Sequence, residues 1–110
     1  MKVVLIARRT LDNYDSKNSQ TRIALANWLK KVQNANWDTP HSIKHTFRSA
    51  DLLGKGTERV VFNIGGNRHR IICRYHFGRH RAHLYVKWIG THATYTKLCR
   101  SGKQFTVNDY

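Results

Sequence analysis

The sequence predicts an α+β fold: an N-terminal strand and two helices packed on one face of a mainly antiparallel sheet that ends in a three-strand meander. Three observations predict it. Leu25, Trp28, Leu29 and Val32 fall at i, i+3, i+4 and i+7, one apolar stripe on a helix over 20–34. Val60, Val61, Phe62 and Ile64 are strand formers that run into Gly65-Gly66-Asn67, residues that accept the positive φ of a two- or three-residue hairpin loop. Ile71 to Phe77 and Ala82 to Ile89 then give two further β-runs, separated by a turn at Gly78-Arg79-His80-Arg81.

The elements follow in order. Val3 to Ala7 is a first strand, and its unbroken apolar run predicts burial on both faces or a place in the sheet interior. Thr10 to Lys17 reads as a short helix with Leu11 and Tyr14 three apart, and Asn18 or Ser19 caps the helix that follows. Lys30 and Lys31 complement the dipole at the end of that second helix. Pro40 suits the first turn of another short helix, under which Ile43 and Phe47 pack. Ser49 to Thr57 reads as a polar loop leading into the hairpin. A helical turn is expected around Ala93 to Leu98, and 101–110 is expected to be a mobile tail. The 110 residues suffice for a single domain, 1–110, with no repeat. The helices are expected to cover one face of the sheet and leave the other open.

Charge narrows the function. The chain has 20 Lys and Arg against 6 Asp and Glu, a net charge of +14. Between Glu58 and Asp109 there is no acidic residue, while that interval holds ten Lys and Arg and five of the seven His. Such an excess points to a polyanion. An acidic membrane surface would favour a basic amphipathic helix, whereas these charges lie on strands and turns, so no membrane partner is expected. The first apolar run is too short for a signal peptide. The two cysteines, Cys73 and Cys99, lack C-x-x-C spacing and read as reduced thiols of a cytoplasmic protein. Alternation places Arg70, Ile72, Arg74 and His76 on one face of their strand, with Ile71, Cys73, Tyr75 and Phe77 on the core face. His80 and His83 span a turn with no third ligand type nearby, so they read as solvated loop histidines and no metal is expected.

Val61-Phe62-Asn63-Ile64-Gly65-Gly66-Asn67, then Arg70-Ile71-Ile72, then Trp88-Ile89-Gly90-Thr91-His92-Ala93-x-Tyr95, resembles the HigB-type toxins of bacterial toxin–antitoxin pairs, within the RelE/ParE group. Trp28, Trp37-x-Thr39-Pro40 and Ile43 fit the same pattern, so the resemblance spans roughly Trp28 to Leu98. It implies a RelE-like fold and a ribosome-dependent endoribonuclease that cuts mRNA in the ribosomal A site; the basic interval itself has no carboxylate for a metal mechanism, so no cofactor is expected. It also implies a HigA-like helix-turn-helix antitoxin as partner, beside the ribosome and mRNA. The family usually carries an acidic pair around the tyrosine, His-x-Glu-Tyr-Asp; here Thr94 and Thr96 stand at those positions.

RNA is cut without metal when its own 2′-hydroxyl attacks phosphorus, a base takes that proton and an acid protonates the departing 5′-oxygen. Cations hold the charge that builds on the phosphate. Arg70, at the family's arginine position, is the expected phosphate clamp. His92, at the end of the last strand beside Gly90, is the expected general acid or base. Tyr95 stacks on a base or assists proton transfer, and Lys87 joins the clamp. Asn67, Arg68, Arg74, His76 and Lys97 are the expected RNA contacts. Two other readings stand beside it: a non-catalytic RNA- or ribosome-binding member of the fold, which the loss of the acids at 94 and 96 favours, and a ParE-like gyrase inhibitor, against which the charge and the His92 to Tyr95 motif speak.

Overall fold

The computed structural model describes residues 1–6, 8–15 and 19–110. Ala7 and 16–18 lie outside the described residues, and with them the expected ends of the first strand and first helix and the cap at Asn18. The elements are β1 (Lys2–Ile6), α1 (Arg8–Asp15), α2 (Ser19–Gln33), α3 (Pro40–Thr46), β2 (Asp51–Leu52), β3 (Arg59–Ile64), β4 (His69–Phe77), β5 (Arg81–Thr91) and α4 (His92–Arg100), followed by a 3-10 turn at Lys103–Phe105. Five strands make one sheet in the order β1-β5-β4-β3-β2. The pairs β2·β3, β3·β4 and β4·β5 are antiparallel, and β1 joins β5 in parallel. Among the described residues no helix is long and apolar enough to cross a membrane.

The main core lies between the sheet and α1, α2 and α3. Leu25, Trp28 and Val32 bury the stripe of α2, and Leu29 packs partly against it. They meet Val60, Phe62, Ile71, Cys73, Leu84 and Val86 from the sheet. Trp28, Phe47 and Phe62 form an edge-packed aromatic cluster, with ring centroids 5.0 Å apart for Phe47 and Phe62 and 5.3 Å for Trp28 and Phe62. Fully burying such a side chain contributes about 1.5–3 kcal/mol. Pro40 opens α3 as expected, and Ile43 is wholly buried beneath it. Trp37 is buried beside α3 and donates its indole N–H to Thr46 Oγ1 at 3.0 Å.

Four expectations are corrected. β1 is an edge strand rather than an interior one: Val3 is buried, but Val4 and Ile6 are exposed. Its apolar run reflects one buried row and one exposed row. The hairpin loop has four residues, Gly65 to Arg68, because Ile64 pairs with His69. Gly65 and Gly66 both take φ above +60° there, which explains why glycine occupies both positions. The second face of the sheet is only partly open. α4 and the C-terminal segment lay a smaller core on it, with Val61, Ile72 and Trp88 buried against Tyr95, Leu98 and Val107. Ile72 therefore sits in a core on the same face as the basic row. The segment 101–110, expected to be mobile, folds back along β5, where Asp109 N–H donates to the Lys87 carbonyl at 3.0 Å.

His69 ties the helices to the sheet. Its ring lies between the Tyr14 hydroxyl at 3.1 Å from Nδ1 and the Thr21 hydroxyl at 3.0 Å from Nε2. Burial, helped by the Arg68 charge, holds its pKa below the usual 6.5. The unfolded chain therefore takes up this proton more readily than the folded one. The stabilisation is complete above the unfolded value and is lost as pH falls through the folded value. His69→Gln should flatten part of the fall in melting temperature between about pH 7.5 and about pH 5. A variant whose melting temperature follows pH as steeply as the parent's would show that this pairing does not couple to folding. Tyr14→Phe should cost about 0.5–1.5 kcal/mol in denaturant unfolding.

Candidate RNA-cleavage site

The second face of the sheet carries two basic groups of residues, separated by Trp88. The first is a corner where the β3–β4 hairpin meets α4. Arg70 stands across from Asn63 on β3 and from Gly90 on β5. It is buried, at 8% exposure, yet no described carboxylate pairs with it. Its Nη1 donates to the His69 carbonyl at 3.0 Å and its Nη2 to Asn67 Oδ1 at 3.3 Å. Two of its five N–H groups are thus occupied, which fixes the plane of the guanidinium and leaves donors for a phosphate. The Tyr95 ring lies against it, 5.9 Å from ring centroid to Cζ.

α4 completes this corner. Thr91 caps it, its Oγ1 accepting from the Thr94 N–H at 3.2 Å. The His92 N–H donates to the Arg68 carbonyl at 2.9 Å, which fastens the head of the helix to the hairpin. The His92 side chain is exposed. Thr94 Oγ1 donates to the Thr91 carbonyl and Thr96 Oγ1 to the His92 carbonyl, so both hydroxyls are used within the first turns of the helix. Gly90 makes the close approach possible: a Cβ there would lie 2.6 Å from the Trp88 ring and 2.7 Å from Thr94 Oγ1.

The Tyr95 hydroxyl stays protonated. Burial first, then a hydrogen bond to Cys99 and the Asp51 charge, raise its pKa well above the usual 10, against a smaller lowering by Arg70. A phenol so weakly acidic is poorly matched to proton transfer near neutral pH. Its ring, packed on Trp88 at 6.1 Å, instead positions Arg70 and walls the corner.

The second group is a row on the open part of the sheet. Arg74 stands opposite Tyr85, and His76 opposite His83, with the two imidazole centroids 6.1 Å apart. His83 stacks on Tyr85 at 6.3 Å. His83 is therefore a strand residue, half-buried, and the expectation of a solvated loop is corrected. A β-bulge sets the far end of the row. Ile72 pairs with Trp88 and Cys73 with Val86, so Lys87 is an extra residue. The bulge keeps Lys87 with Tyr85, 5.8 Å from its ring, while Ile89 turns to the main core. Lys87 Nζ donates to Asn108 Oδ1 at 2.9 Å.

The structure thus brings Arg70, Asn67, His92 and Tyr95 to one corner; Arg68 meets it only through its carbonyl, while its guanidinium donates to Gln20 Oε1 on α2. Arg74 and His76 lie in the open row, Lys87 lies beyond Trp88 and is held by Asn108, and Lys97 is exposed on α4. Asn63, Tyr85 and His83 were missed. Alternation along Ala82 to Ile89 sets His83 and Tyr85 on one side of their strand, and the register with β4 puts them beside Arg74 and His76.

One further pair is unusual. Arg59 and Arg74 are direct cross-strand neighbours. Arg59 is buried and donates to the Gln104 carbonyl at 3.2 Å, and burial together with Arg74 lowers its pKa. Like charges facing each other across a sheet are destabilising, and this pair lies on the basic face.

The comparisons with known proteins agree with this architecture. The family model for HigB toxins, described as the RelE-like toxic component of a toxin–antitoxin system, matches residues 21–98. The chain belongs to the HigB toxin family. As the toxic component of such a pair, it has an antitoxin partner. It is also 26% identical, over 96 residues, to the mRNA interferase HigB of Escherichia coli O6:H1, a match that covers 87% of this chain and 91% of that protein. In this HigB-type chain both basic groups on the sheet lie within the matched span.

Two predictions follow from this geometry. Arg74→Gln should raise stability by roughly 0.2–1 kcal/mol by relieving repulsion on Arg59, while weakening binding to an RNA oligonucleotide; unfolding and binding titrations check the two halves separately. Gly90→Ala should destabilise by about 1–3 kcal/mol, because Trp88 and the head of α4 must both shift. An unchanged melting curve would show that the packing relaxes freely.

Proposed function

We propose that this HigB-family toxin is an endoribonuclease that cleaves mRNA in the ribosomal A site, by internal attack of the 2′-hydroxyl and without a metal. The observation that carries the reading is Arg70: a nearly buried guanidinium, oriented by Asn67 and the His69 carbonyl, with no described carboxylate to neutralise it. A cation held in that way favours the dianionic, five-coordinate phosphorus over the monoanionic diester. The name of the Escherichia coli relative, mRNA interferase, points to the same substrate. The excess of cations over the whole chain suits an RNA-rich particle.

In this mechanism Arg70 clamps the scissile phosphate and Tyr95 holds Arg70 in place. His92, exposed at the head of α4, exchanges the proton. Asn67 and Arg68 on the hairpin, with Lys97 on α4, hold the neighbouring phosphates. Lys87, Arg74 and His76 extend the RNA track across the open sheet. Thr94 and Thr96 turn their hydroxyls to carbonyls of the Thr91 cap and the first turn of α4 and supply no carboxylate, so in this mechanism imidazole carries the proton. The antitoxin partner is a HigA-like helix-turn-helix protein, and the toxin works in the cytoplasm, where ribosomes and mRNA are found.

A second assignment of the proton carriers rests on the His76–His83 pair. Two imidazoles with centroids 6.1 Å apart on an open basic surface have the spacing to stand on either side of one phosphodiester.

Programmed ribosomes with mRNA in the A site test the proposal. Arg70→Ala should slow cleavage by about a hundredfold or more, with Arg70→Lys intermediate, and chelation of divalent ions after ribosome assembly should leave single-turnover cleavage intact. His92→Ala should slow cleavage by about a hundredfold or more. If His92→Ala cleaves normally while His76→Ala or His83→Ala does not, the sheet pair is the acid–base pair. An Arg70→Ala toxin that cuts at the parent's rate would overturn the phosphate-clamp assignment.

A further inference from the structure

The helix-bearing side of the molecule has a basic cleft that none of the chemistry above uses. It has a volume of about 600 Å³, and lies between α2, the end of α3 and the last residues of β3. The sheet itself opens it. β2 pairs only with Val60 and Val61, so the outer edge of β3 from Phe62 to Ile64 has no strand beside it. Lys31, His45, Arg48, Asn27 and Asn63 line the cleft. Trp28 forms part of its wall at 3% exposure, and its buried indole N–H has no acceptor among the described residues. A buried donor left unpaired costs about 1–3 kcal/mol. Most buried polar groups in folded proteins find a partner, so an orphan in the wall of a cleft is a pointer to a ligand.

The cleft continues as a track. One adjoining hollow shares Lys31 and Thr46 with it and adds Lys30; another shares His45 and Arg48 and adds Lys44 and His41. Among the described residues no Asp or Glu lines any of the three. We infer that this track is a second RNA site, which grips phosphodiesters of the RNA backbone independently of sequence. A protein partner would need an apolar anchor at the centre of its footprint. The large exposed apolar residues Val4, Ile6 and Ile23 do not line the track. Repeated cations without carboxylates match a chain of evenly spaced phosphates instead.

With Arg70 on one side of the sheet and this track on the other, the toxin presents cations to RNA on two sides. The role follows from the proposed ribosomal function and rests on it: the track docks the toxin on structured RNA of the particle while the Arg70 corner acts on the mRNA. Asn63, which lines the cleft and stands across from Arg70, joins the two.

The test is Lys31→Gln with Arg48→Gln in the full chain. Filter binding to a short RNA hairpin and co-sedimentation with empty ribosomes should weaken about tenfold, with the salt dependence of log K shallower by about two. Cleavage in a single turnover on saturated, programmed ribosomes should stay within about twofold of the parent, since neither residue is placed in the catalytic corner. Lys31→Arg with Arg48→Lys should bind as the parent does. In nuclear magnetic resonance spectra the Trp28 indole N–H signal should shift on titration with the hairpin. Unchanged affinity and unchanged salt dependence in the Gln variant would overturn the inference. So would loss of affinity for the antitoxin with RNA binding intact, which would assign the cleft to a protein. A parent chain that never cuts mRNA, but whose Gln variant still loses RNA affinity, would refute the nuclease and leave this site standing.

Discussion

Alternation along β4 is the constraint on which the rest of this structure depends. The strand has a neighbour on each side, so it cannot slip without moving the whole sheet. Ile71 and Cys73 face the helices and are wholly buried. The residues between them must then face the other way, which aims Arg70, Arg74 and His76 at the second face together with Ile72. A shift of one residue would drive three cationic or ionisable side chains into a core of Trp28, Phe62 and Leu25. Packing on one face thereby fixes the polar chemistry of the other.

That arrangement carries a cost in stability, and the cost is informative. Arg59 and Arg74 face each other, and Arg70 is nearly buried without a described acidic partner. Acidic residues are missing from the whole interval between Glu58 and Asp109. A chain selected only to fold would relieve such repulsion with carboxylates. An anionic substrate relieves it instead, and every internal carboxylate would compete with that substrate. The small core of Val61, Ile72, Trp88, Tyr95, Leu98 and Val107 offsets part of the cost by pinning α4 and the C-terminal segment over the centre of the basic face. It also divides that face, since Trp88 separates the Arg70 corner from the open row.

Most of the fold was legible in the sequence because its signals are local. The stripe on α2, Pro40 at the start of α3 and Gly65-Gly66 in the hairpin each act within a few residues. The misreadings have non-local causes. β1 has the composition of an interior strand, yet beyond it among the described residues lies only an isolated bridge from Lys2 to Asn36, and strand order is decided by the whole sheet. The bulge at Lys87 reverses the facing of Ile89 relative to Tyr85, and no residue of that stretch announces it. Tyr95 is named as a site residue by motif, but its hydroxyl bond to Cys99 and its packing on Trp88 depend on how α4 folds back.

By itself the sequence determined the α+β class, the strong positive charge and the kinship with HigB toxins, because periodicity, net charge and motif are properties of the chain read in order. Only the tertiary structure decided which cations act together. It placed Arg70 with Asn67, Tyr95 and the head of α4, set His76 against His83, moved Lys87 to Asn108, and gathered Lys31 and Arg48 around an orphaned Trp28 indole. Those groupings join residues far apart in the chain, and they arise from strand register and helix packing, which are settled only when the core closes.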